Sequence, residues 1–280
     1  CNRREKIKVT FSKRPFLLTF MVFGYAFLYL PILSLIIFSF NKAQSVTKWS
    51  GFSLKWYYEL FSNKMMLTAA LLSLKIALLT ATISVLIGTV AALVIVRFQS
   101  FKGRTFFNGL VTAPLVMPEV ITGLALLLFF VVLQQTTGWP KERGIITITL
   151  GHVTLTIAYV LVIVRTRLLE FDRQLEEAAL DLGARPVTVF FKITLPLIFP
   201  SITAGWLLAF TLSLDDVVLA SFLSGPGSTT LPMLIFSSVR TGISPVINAL
   251  ATIIVSLVTI GIIIAGWFMH KGSLMKSKKS

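Results

Sequence analysis

Six apolar runs, each roughly the twenty residues needed to cross a bilayer as a helix, dominate what this chain can fold into. They fall at about 16–40, 68–96, 105–134, 145–167, 196–222 and 246–269. Inside a bilayer every backbone N–H and C=O must find a partner within the protein. Runs of this length do so as helices, so the spacing predicts an all-α membrane protein with six transmembrane helices.

Charge supports that reading. Charged residues make up 13% of the chain and hydrophobic residues 55%, with a mean hydropathy of +0.86. A water-facing surface usually needs about 25% charged residues. The net charge of +15 would point to nucleic acid in a soluble protein. Here the basic residues flank apolar runs. They cluster in the N-terminal tail (Arg3, Arg4, Lys6, Lys8), after the second run (Arg97, Lys102, Arg104), after the fourth (Arg165, Arg167, Arg173, Arg185) and in the C-terminal tail (Lys271, Lys276, Lys278). The positive-inside rule places all four on the cytoplasmic side, so both termini are expected there and no nucleic-acid partner is implied. The predicted organisation is a basic tail over 1–15, a transmembrane domain over 16–270 and a second basic tail over 271–280. The loop 41–67 mixes Trp49, Trp56, Tyr57 and Tyr58 with lysines, a composition suited to the membrane interface. Cys1 is the one cysteine, so no internal disulfide or multi-cysteine metal site is expected. Its place at the start is read as a trimmed N-terminus, with no cleavable signal peptide.

The loop at about 168–195 has a pattern of its own. Asp172 is a candidate N-cap for a short helix over about 173–182. Glu176 and Glu177 fall in its first turns, where negative charge suits the helix dipole. Leu175, Ala178, Ala179 and Leu182 form an apolar stripe of small and medium side chains. Asp181 adds acidity, and Gly183 is placed to end the helix in a left-handed conformation. Arg185-Pro186 then starts a second helix leading into Pro196. An amphipathic loop lying on the anionic leaflet would be basic, and this helix is acidic.

Read as a motif, the loop runs Glu177-Ala178-Ala179, Gly183, then Ile193, Leu195 and Pro196. It resembles the coupling loop of bacterial ABC importer permeases. The segments Ala113-Pro114-Leu115-Val116-Met117-Pro118-Glu119, Leu212-Ser213-Leu214-Asp215-Asp216 and Ser224-Gly225-Pro226-Gly227 are similar to polyamine importer permeases, in particular the second permease of spermidine/putrescine-type systems. The resemblance implies a type I ABC importer permease fold in the bacterial inner membrane. It implies a second permease subunit as partner, two ATPase subunits, a periplasmic binding protein and a polyamine substrate. The coupling residues would be Glu176, Glu177, Ala178, Ala179, Asp181 and Gly183. ATP and magnesium would be used by the ATPase partner. No phosphate-binding loop or nucleophile triad occurs in this sequence, so the chain is expected to be non-catalytic and to bind no cofactor.

Ionisable residues within spans are costly and usually functional. Glu119, Asp215, Asp216, Lys75 and His152 are in this class. Helical rise puts Glu119 about 21 Å along the third span and Asp215 about 30 Å beyond Pro196, both in the outer half of the membrane. The predicted substrate path comprises Glu119, Asp215 and Asp216 as carboxylates attracting ammonium groups, with Trp206 as a cation–π candidate. The alternatives are a structural pairing of Lys75 with an acidic residue, and an interfacial position for the two aspartates. His152 is expected to be hydrogen-bonded inside the bundle rather than metal-bound, having no second His or Cys near it. At the level of function, the alternatives are a permease for another solute such as ferric iron and a proton-coupled secondary transporter.

Overall fold

The computed structural model describes residues 15–44, 48–98, 100–241, 245–256 and 259–260. The basic tails assigned to 1–15 and 271–280 fall almost wholly outside the described residues. The chain divides into two compact units, residues 1–63 with 241–280, and residues 64–240.

In the first unit, α1 spans Pro15–Ser39 and is apolar throughout. Beyond it, Asn41 and Phe52 form an antiparallel bridge. Asn41 organises it. Its amide donates to the Lys48 carbonyl at 2.8 Å, its side-chain oxygen accepts from Ser50 N at 2.9 Å, and its own carbonyl accepts from Trp56 Nε1 at 2.7 Å. Trp56 and Leu60 are the buried positions of α2, Lys55–Ser62, while Trp49 and Tyr58 are exposed. The aromatic loop is therefore half structural and half surface. Helix Pro245–Ser256 also belongs to this unit.

The second unit is built on three long helices: α3 (Lys64–Arg97), α6 (Ile145–Glu170) and α9 (Leu195–Asp215). Much of the face that α3 buries is small or short, with Ala69, Ser73, Ala77, Thr80, Ala81, Ser84, Gly88, Ala91 and Ala92 recurring every three or four residues beside the larger Ile76 and Ile95. Lipid tails are as apolar as Leu, so helices in a bilayer associate through close packing and buried hydrogen bonds rather than hydrophobic exclusion. Ser84 and Thr156 share a buried 2.7 Å hydrogen bond between α3 and α6. Gly88 abuts Val160 of α6, where an added Cβ would lie 2.8 Å from Cγ1. Gly205 of α9 approaches the same Val160, with a Cβ there 3.4 Å from Cγ1. The core at this level comprises Ala81, Ala92, Ile95, Val160, Val164 and Ile198. Outside it, Leu86, Val90, Phe106, Leu128 and Val132 are exposed. A surface as oily as the interior is stable only against lipid or a partner helix.

Among the described residues, five helices are long and apolar enough to cross a membrane. The sixth predicted run, 246–269, is described only in part. Two of the predicted spans are broken rather than straight. The third divides into α4 (Arg104–Thr112), a 3₁₀ turn (Ala113–Leu115) and α5 (Glu119–Thr137). Pro114 and Pro118 each remove a backbone donor there. The fifth ends at Asp215, and after a short break α10 (Val218–Leu223) begins. Gly123 of α5 meets the ring of Phe222 on α10, with a Cβ there 2.7 Å from Cδ2.

Candidate functional site

At one end of the α3–α6–α9 bundle lies the loop singled out by its Glu-Ala-Ala motif. Its helix, α7, spans Gln174–Asp181. Asp172 caps the start by accepting from Gln174 N at 3.0 Å. Gly183 ends it at φ +84°, in the left-handed region. The Ala184 N–H reaches the Ala179 carbonyl at 3.0 Å and the Gly183 N–H the Leu180 carbonyl at 2.9 Å. These are the two bonds of a Schellman motif. Arg185 is extended, and Pro186 opens α8, Pro186–Val189. A π-helical turn over Phe190–Thr194 joins α8 to α9. That wider turn sits just before Pro196, which has no N–H with which to extend the ladder.

The seat of α7 is electrostatic. Glu176, 5% exposed, faces inward. Both its oxygens pair with the Arg97 guanidinium at the end of α3, and Oε1 also accepts from the Thr194 hydroxyl in the π turn. Arg173 donates to the Val96 carbonyl at 2.9 Å. Burial alone pushes the Glu176 carboxyl up. The hydrogen bonds from Arg97 and Thr194 and the charges of Arg97 and Arg173 outweigh it, so its pKa lies below the ordinary carboxylate value. The sequence groups Glu176 with the exposed coupling residues, and the structure turns it the other way. Glu177, Ala178, Asp181 and Gly183 are exposed, and Ala179 is half-buried. The stripe residues Leu175 and Leu182 are also exposed, Leu182 by 89%. The structural partners Arg97 and Thr194 carry no sequence signal of this role; Arg97 reads only as a flanking positive charge.

Asp215 and Asp216 lie toward the bundle's opposite end. Here Ser73 accepts from Leu231 N, at the start of α11 (Leu231–Thr241), at 2.8 Å, and Thr147 donates to the Leu223 carbonyl at 2.7 Å. Glu119 is exposed in the first turn of α5, just past the helix break. Asp215 is exposed at the last position of α9. Asp216 is different. Its side chain is 6% exposed and lies 3.3 Å from His152 Nε2. It also accepts from Ala220 N at 2.9 Å, which caps α10. His152 is 2% exposed and completes a chain to Ser213 through Nδ1 at 2.7 Å. The structure thus separates the adjacent aspartates, one tied inward and one facing out. Trp206 is half-buried, stacked on Phe210 with centroids 5.3 Å apart, and donates to Thr82 at 3.3 Å. One face of its indole is therefore already covered. Lys75 is exposed and makes no ion pair with the described residues.

Residues 84–271 match the family described as the binding-protein-dependent transport system inner membrane component. The chain belongs to that family. Within it, the chain is 56% identical over 259 residues to the putrescine transport system permease protein PotI of Escherichia coli K12, covering 92% of each. It is 41% identical over 238 residues to the spermidine/putrescine transport system permease protein PotC of the same organism, covering 85% of this chain and 88% of that one. Its fold is that of a bacterial ABC transporter involved in alginate import, with a TM-score of 0.70 at 17% identity over 92% of this chain and 96% of the other. The chain is thus an ABC transporter permease and a multi-pass inner membrane protein.

Proposed function

We propose that this permease is one of two pore subunits of an ATP-driven importer that carries a polyamine, with putrescine as its substrate. The observation that carries this reading is the 56% identity to a putrescine permease along 92% of both chains. In this reading the permease pairs with a second permease and binds two ATPase subunits, which use ATP and magnesium. A periplasmic binding protein delivers the substrate. The chain crosses the membrane six times, the span at 246–269 being the sixth, with both termini and α7 in the cytoplasm.

The outward stripe of Leu175, Ala178 and Leu182, flanked by Glu177 and Asp181, fits a groove on the ATPase. Small alanines allow close seating, and the inward Glu176 anchors the helix so that a push on α7 moves α3 and α9. Glu119 and Asp215 line the path, each exposed at a helix break. A diammonium ion leaving water needs charge-assisted partners. Two weak sites in series favour passage over tight retention. Asp216 supports the path indirectly by holding the break between α9 and α10.

The test is reconstitution of the permease with its ATPase, second permease and binding protein in proteoliposomes. Uptake of radiolabelled putrescine that requires ATP and the binding protein is the expected result. ATP-dependent uptake of another solute with none of putrescine would reject the substrate assignment.

A further inference from the structure

Three arginines from three segments converge beside the α7 end of the bundle. A pocket of about 230 Å³ is lined by Ile95, Val96, Arg104, Arg165, Leu169 and Arg173. Arg104 opens α4, Arg165 lies near the end of α6 and Arg173 directly precedes α7. Arg104 and Arg173 each reach a terminal carbonyl of α3, at Ile95 and Val96, which places cations favourably at a helix C-terminus. Arg165 does not share that role. Its Nε is buried without a hydrogen-bond partner among the described residues. Of the neighbouring carboxylates, Glu176 is ion-paired with Arg97 and meets Arg173 only through its charge, and Glu170 pairs with Arg167 at 3.6 Å. A guanidinium presents five donors in a planar fork matched to phosphate oxygens. Arg165 donates none of these to the described residues, and Arg173 donates to the Val96 carbonyl.

We propose that this pocket binds a phosphate group, held by Arg165 and Arg173 with Arg104 at its rim. An anionic phospholipid headgroup fits best, because Ile95, Val96 and Leu169 give the pocket apolar walls at the end of a membrane helix. Basic pockets between helices at the cytoplasmic interface are a known form of headgroup recognition. Free phosphate is the other source of the same chemistry. Bound there, the phosphate would bridge α6 to the residue that launches α7, and so stiffen the coupling loop. The cytoplasmic placement rests on the orientation proposed above, whereas ligand retention does not.

The experiment uses the assembled transporter in nanodiscs of phosphatidylcholine, with or without phosphatidylglycerol. Native mass spectrometry counts the phosphatidylglycerol retained, and calorimetry with inorganic phosphate in pure phosphatidylcholine tests the free anion. Wild type should retain phosphatidylglycerol. Losing a charged hydrogen-bond donor should weaken retention roughly tenfold in R165Q and in R173Q, while R165K should keep most of it. Subunit composition is measured on the same samples. Phosphate binding that is lost in R165Q, without lipid retention, would support the site and identify its ligand as the free anion. Equal retention in wild type, R165Q and R173Q overturns the proposal, as does the absence of both ligands from wild type. Loss of the ATPase subunit from R165Q with lipid retention unchanged also overturns it, and would assign the cluster to a protein contact. Should R165Q fail to assemble, R165K and R173Q decide on the same criterion.

Discussion

Arg97, the last residue of α3, and Glu176, in the first turn of α7, form a two-pronged ion pair that fastens the Glu-Ala-Ala loop to the long apolar helix α3. Thr194 holds the same carboxylate from the π turn that leads into α9. One side chain therefore joins three elements. Removing Arg97 leaves a nearly buried carboxylate without its cation. Arg97 is 32% exposed, so water softens the loss to roughly 1–3 kcal/mol. Arg97→Gln is expected to lower transport and the thermal midpoint of the complex, and R97E/E176R to recover part of both. A double-mutant cycle on uptake and thermal unfolding checks this; additive effects would show that the pair does not act as a unit.

The same pair sets a pH dependence. The Glu176 pKa is lowered relative to its ordinary 4.5. Its stabilising contribution is therefore complete above that value and is lost as pH falls through the folded-state pKa. Between pH 6 and 8, E176Q should cost the same stability at every pH, whereas in strongly acidic buffer the gap between wild type and E176Q should close. Thermal unfolding of both proteins across that range reads it directly.

Gly183 holds φ +84° at the end of α7. A residue with a Cβ is strained there by roughly 1–2 kcal/mol. Gly183→Ala is expected to fray the last turn that Ala184 and Gly183 close, and to reduce both ATPase co-purification and coupled transport severalfold. Inserted permease should be unchanged in amount. Pull-down with the ATPase subunit, normalised to membrane content, measures it.

The adjacent aspartates should separate by phenotype. Asp215→Asn is expected to reduce putrescine uptake strongly with assembly and thermal midpoint retained. Asp216→Asn should instead lower the midpoint, because Asp216 faces His152 and caps α10. Uptake and thermal unfolding of both variants in the same vesicles test this; identical behaviour would contradict the division seen in the structure.

Gly88 faces Val160 across α3 and α6 at a separation that leaves no room for a side chain. Gly88→Leu should destabilise the bundle by roughly 1–3 kcal/mol through overpacking, and Val160→Ala should restore part of it. Detergent-resistance midpoints of the single and double variants are the measurement.

The long apolar runs, the flanking arginines and the Glu-Ala-Ala loop were all legible in the sequence, because each depends on residues close along the chain. Helix formation in a bilayer is imposed by backbone hydrogen bonding within a single segment. The Schellman ending at Gly183 and the missing backbone donors at Pro114 and Pro118 are likewise local, whereas the break at Asp216 falls inside the run read as one span over 196–222. What only the tertiary structure decided is which side each polar group faces. Glu176 and Glu177 are neighbours with the same chemistry, yet helical periodicity turns one toward Arg97 and the other outward. Asp215 and Asp216 are divided by the end of α9 and by a histidine sixty-four residues away in sequence. Those choices rest on partners brought near by packing of α3, α6 and α9, and a buried charge is tolerated only where such a partner stands.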